Sequence, residues 1–146
     1  MKRAATAVPA PETDPLVDRH LRAGWRALLV FATLGLGLES LQGFKVRWYL
    51  DVANETRWLM WTLAHAHGTL LGLVNIAFAA TASLRPARDP RRRALASSCL
   101  LAATVALPTG FFLGGLVVYA GDPGLGIVLV PLGAVLLLAA LALTAF

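Results

Sequence analysis

Charge is scarce in this chain. Charged residues make up 14% of its 146 positions, and hydrophobic residues 58%. A soluble domain usually carries about a quarter charged residues, so the deficit excludes an ordinary globular surface. Cysteine is scarcer still. The single Cys99 excludes an intrachain disulfide and any cysteine-based metal motif, and reads as a small apolar residue on the third helix. The formal charge of +5 invites a nucleic-acid partner, but the bases stand at the ends of apolar runs. There they set orientation in a bilayer and touch headgroups, so no nucleic acid is expected.

What the chain does have is long uncharged runs. Residues 1 to about 20 hold Pro9, Pro11, Pro15 and several charges, and read as a polar tail. The apolar run that follows lacks an Ala-x-Ala type cleavage site, so it is expected to stay as a helix. Four spans are predicted, at about 24–44, 58–84, 94–120 and 125–145, in an all-α antiparallel bundle. Residues 1–23 form the tail and an interfacial segment, and 24–146 the transmembrane domain. The first span, about 21 residues at 1.5 Å each, covers roughly 31 Å, the thickness of the hydrocarbon core. Pro108 is expected to kink the third. Trp48, Tyr49, Trp58 and Trp61 read as part of an aromatic belt at the membrane surface. His20, in the amphipathic run Leu16 to Trp25, reads as an exposed histidine near the headgroups.

The bases set a direction. Lys2, Arg3, Arg19, Arg22 and Arg26, with Arg85, Arg88, Arg91, Arg92 and Arg93, outnumber Lys45, Arg47 and Arg57 in the first loop. The third connection has none. Both termini are therefore expected on the cytoplasmic side of an inner membrane.

The second span, Trp58 to Leu84, has no formal charge yet contains His65, His67 and Asn75. An ionisable group at that depth is a functional hypothesis by default. His65 and His67 sit two residues apart on a helix, hence about 200° apart around it, so they cannot chelate one ion together. Such a helix gives one ligand to each of two sites. Gly68, Thr69 and Gly72 lie on the His65 side, where small residues admit a flat group or a neighbouring backbone. Glu39, near the outer end of the first helix, is expected at the same level as a proton carrier, a structural acid or a partner of histidine. The polar groups thus read as gathered in the outer half of the bundle.

The segment Leu63-Ala-His65-Ala-His67-Gly-Thr-Leu-Leu-Gly72 resembles the ligand-bearing helices in subunit I of the haem-copper oxidases. In that family twelve helices form three arcs of four, and the ligand helix is the second of each arc. The resemblance implies a homotrimer of four-helix units. His65 of one copy and His67 of its neighbour would then ligate one haem b iron, a six-coordinate arrangement suited to electron transport. Lys45, Arg47 and Arg57, with Trp48 and Trp58, would hold the propionates, and Gly68 and Gly72 would flank the ring. Quinol is a candidate electron donor. The third helix carries no histidine, so the family's three-histidine copper site does not carry over, nor does its oxygen reduction. No enzyme activity is assigned. Two other classes fit the same residues. One is a proton or metal-ion transporter or channel subunit lined by Glu39 and the histidines. The other is a structural or assembly subunit of a respiratory complex.

Overall fold

The computed structural model describes residues 14–51, 55–85 and 89–146. The tail through residue 13, with Lys2 and Arg3, and Arg88 of the basic loop lie outside the described residues. Four helices are long and apolar enough to cross a membrane. They are α1 (Pro15–Gly43), α2 (Thr56–Leu84), α3 (Pro90–Leu116) and α4 (Leu129–Ala145), the last preceded by a 3₁₀ turn at Leu125–Val128. The chain is an all-α, multi-pass membrane protein.

Local chemistry explains the helix starts. Asp14 accepts the N–H of Leu16 at 2.9 Å and Pro15 opens α1. Asp89 accepts the N–H groups of Arg91 and Arg92, at 2.9 and 3.3 Å, and Pro90 opens α3. Aspartate at the cap and proline in the first turn are the preferred residues there. Helix α1 therefore begins nine residues before the predicted position. Helix α3 runs through Pro108 and stops at Leu116, short of the predicted Ala120. A small hairpin takes the next residues, pairing Val118 with Pro123 and Tyr119 with Asp122. Its turn needs positive φ at Ala120 (51°) and Gly121 (94°), as two-residue hairpin turns of this hand do.

Each helix packs chiefly on the next, α1 on α2, α2 on α3 and α3 on α4. Helices α2 and α3 are the most buried and α4 the least. Lipid gives no hydrophobic force between spans, so close van der Waals contact must hold them. Glycine supplies it. A Cβ on Gly24 would stand 2.7 Å from the Gly72 carbonyl oxygen, and one on Gly133 2.8 Å from the Leu107 nitrogen. The α1–α2 and α3–α4 seams are thus backbone-to-backbone.

At the end of the bundle holding the α1–α2 loop, Trp61 is the hub. Its ring stacks on Phe112 at 5.3 Å, lies near Trp48 at 5.3 Å and Tyr49 at 6.0 Å, and its Nε1–H donates to the Phe112 carbonyl at 3.0 Å. Tyr49 and Trp61 are buried and so do not belong to a lipid-facing belt. Burial pushes the Tyr49 phenol above its usual pKa, and its hydrogen bond to Thr62 works against that rise. At the opposite, arginine-rich end, Arg93 Nη2 donates to Asp14 Oδ2 at 2.6 Å. Arg92 Nε donates to the Leu143 carbonyl at 3.0 Å. These two side chains tie the start of α3 to the start of α1 and the end of α4.

The Leu16 N–H bond, reinforced by the Arg93 charge, holds the Asp14 carboxyl below the ordinary carboxylate value of 3.8. Its contribution to stability is therefore present above about pH 3.8 and lost as pH falls through the lower folded value. Asp14→Asn keeps the cap and removes the charge. Unfolding in detergent should find the wild type more stable than this variant at pH 7, with the gap closing below pH 3.8.

Candidate intramembrane histidine sites

The seam between α1 and α2 fixes His65. Its ring lies directly over Gly35, where any side chain would displace it. Its Nδ1 is 2.7 Å from the Phe31 carbonyl oxygen, which can only accept, so Nδ1 carries the proton. Nε2 is left with a lone pair and no hydrogen-bond partner among the described residues. His67, on the far side of α2, repeats the pattern differently. Its Nδ1–H donates to the Leu63 carbonyl of its own helix at 2.9 Å, and its ring packs on Phe111 of α3 at 4.8 Å. Its Nε2 is likewise unpaired. Both rings are half-buried. Histidines that bind metal through Nε2 are commonly oriented by such an Nδ1–H to carbonyl bond.

The other expected site residues divide. Gly68 and Gly72 are buried against α1. The Phe31 ring covers Gly68, and Leu28 Cγ and the Gly24 carbonyl oxygen stand 3.0 and 3.1 Å from where a Gly72 Cβ would be. That stripe is a packing groove filled by α1, so within one chain no flat cofactor lies on it. Glu39 is exposed, and among the described residues it bonds to neither histidine. Arg57 donates through Nε to the Gly115 carbonyl at 3.1 Å and through Nη1 to the Trp48 carbonyl at 2.8 Å. It also lies 4.5 Å over the Trp48 ring. It fastens the first loop to α3, whereas Lys45 and Arg47 are exposed with their charges outward. Thr69, about 40° around α2 from His65 and one turn on, has a buried hydroxyl with no partner among the described residues. Among the described residues no three His, Cys, Asp or Glu side chains come together to hold a metal.

The most connected polar group is elsewhere. His20 is fully buried rather than exposed among headgroups. Its Nδ1 is 2.7 Å from Asn75 Oδ1, and its Nε2 is 2.7 Å from Ser97 Oγ. Asn75 Nδ2 donates to the Leu71 carbonyl and to Thr104 Oγ1, each at 2.8 Å, and Thr104 Oγ1 in turn donates to the Leu100 carbonyl at 2.7 Å. These bonds fix the amide, so Asn75 Oδ1 must accept from His20 Nδ1–H. Neutral His20 then accepts the Ser97 hydroxyl at Nε2. Three helices meet in this network, with Phe78 against the imidazole at 4.5 Å. It lies toward the arginine-rich end, so the polar groups are not gathered in the outer half.

The sequence carried a signal for His20. Gly24, Ala27, Gly35 and Leu38 form the buried stripe of α1, and His20 extends that stripe by one turn. Arg19, Arg22 and Arg26 stand on the exposed side.

His20→Leu strands Asn75 Oδ1 and the Ser97 hydroxyl, and should cost about 1–3 kcal/mol in reversible unfolding from mild detergent into SDS. Adding Ser97→Ala removes one stranded group, so the double variant should lose less than the two single losses summed, by about 0.5 kcal/mol or more. Strict additivity would break the link between the pair. Comparison with family models, with curated proteins and with solved structures gives no match.

Proposed function

We propose that this is a haem b protein of the membrane, in which His65 of one copy and His67 of the next are the two iron ligands and which passes single electrons. The observation that carries the reading is the shared tautomer. Both histidines spend Nδ1–H on a backbone carbonyl and keep an Nε2 lone pair, on opposite sides of α2 and within about 3 Å of one level. A packing histidine has no need of that pattern twice. The resemblance of Leu63 to Gly72 to oxidase ligand helices points the same way.

The donor set fits such a group between copies and not within one. Gly68 and Gly72 are covered by α1, so a haem would have to lie outside that seam, between copies of the chain. Arg57 is committed to carbonyls, leaving the exposed Lys45 and Arg47 for the propionates. Bound haem supplies reversible one-electron chemistry at the iron; six-coordination through two imidazoles favours transfer over oxygen binding. A homotrimer closes the ring of three such contacts. By the distribution of bases, the arginine-rich end faces the cytoplasm with both termini, in a cytoplasmic membrane. A quinol in the bilayer is a suitable donor.

The visible spectrum of the purified protein tests this directly. Supplied with haem and reduced with dithionite, it should show the sharp α and β bands of a low-spin iron. His65→Ala and His67→Ala should each abolish them. Gly35→Leu keeps both ligands but drives the His65 ring from its seat, so it should resemble His65→Ala. A protein that stays colourless with added haem, or two alanine variants with unchanged bands, would sink the reading and leave both histidines as packing groups.

A further inference from the structure

We infer that the arginine-rich end of the bundle holds one anionic phospholipid, in a cleft of about 610 Å³ where the end of α2, the start of α3 and the end of α4 meet. This inference is independent of any haem. The cleft is lined by Arg85, Arg92 and Arg93, with Phe78, Ala96 and Leu143 among its apolar walls.

The charges in the cleft do not cancel. Asp89 also lines it and Arg93 pairs with Asp14, so three guanidinium charges meet two carboxylates. Arg92 uses Nε on α4 and retains Nη1. Arg93 uses Nη2 on Asp14, and its Nε is buried with no partner among the described residues. Arg85 is exposed, and its guanidinium makes no hydrogen bond among the described residues. A buried guanidinium N–H without an acceptor is costly, and three guanidinium groups around one cleft suit a phosphate oxygen cluster.

Position and wall chemistry select a lipid over a free anion. The arginines stand at the ends of membrane-spanning helices, at headgroup level, and basic pockets between spans are recognised lipid headgroup sites. Phe78 lies about two turns inward from Arg85 along α2. Its edge, with Leu143 and the exposed Phe146, continues the cleft as an apolar surface, which an acyl chain covers and a free phosphate leaves bare.

The test uses the full chain in mild detergent and native mass spectrometry. Phosphatidylglycerol should remain bound, one per chain, where phosphatidylcholine of the same acyl length does not. Arg85→Gln should weaken it by about fivefold, the usual worth of one base near a lipid headgroup. Arg22→Gln, at the same end but paired with Asp18 outside the cleft, should leave it unchanged. Equal binding of the two lipids would overturn the inference, as would equal losses in the two variants, which mean diffuse attraction. Displacement by millimolar inorganic phosphate would show an anion site that does not read the lipid, and would also overturn it.

Discussion

The close approach of α1 to α2 places two of the three histidines, His20 and His65. Between spans in lipid there is no gain from burying apolar surface, because the tails are as apolar as leucine. What remains is contact, and contact requires that side chains be absent at the crossing. Gly24 and Gly72 meet backbone to backbone, Phe31 fills the space over Gly68, and the His65 ring fills that over Gly35. With the seam so closed, His20 one turn before Gly24 is carried to Asn75, and the Phe31 carbonyl comes within reach of His65. A wider seam would lose both hydrogen bonds at once. The glycines that resemble a cofactor cradle are thus the reason His20 and His65 have defined positions.

The three histidines then differ in what is left over. In the His20 network the chain of donors and acceptors closes: Leu71 and Leu100 carbonyls at one end, Ser97 at the other, and both ring nitrogens engaged. A ring with no free valence holds helices together and has little else to offer. His65 and His67 each keep one nitrogen unengaged at a half-buried position. Chemistry with an outside partner needs an unused lone pair, and of the three histidines it is His65 and His67 that keep one.

How far the sequence discloses this depends on the kind of signal. The uncharged run from Trp58 to Leu84 gives α2 to within two residues, since only a helix satisfies its backbone in hydrocarbon. Helix α1 is harder to read. Asp18, Arg19, Arg22 and Arg26 make its first turns look like a tail, although Asp14 and Pro15 are a helix start. Between Leu116 and Leu125 the one charge, Asp122, stands on the far side of the hairpin rather than at the end of α3, and the tolerance of Gly121 for positive φ marks the turn. The partners of His20 lie 55 and 77 residues away, beyond any local pattern. Tyr49 and Trp61 look like any interfacial aromatics because composition does not say which way a ring faces.

The two ends of the bundle are consolidated by different chemistry, and this divides the molecule. At the loop end aromatic rings and Arg57 bind the first loop to α3, using carbonyls as acceptors. At the other end arginines tie α3 to α1 and α4, with bases in excess of the carboxylates they can reach. Phe78 stands between the two regimes at that end, with one face against the His20 imidazole and its ring also lining the arginine cleft. Phe78 is thus shared between the buried network and the wall of the cleft. The His65 and His67 level lies more than two turns from Phe78 along α2, away from the arginine-rich end.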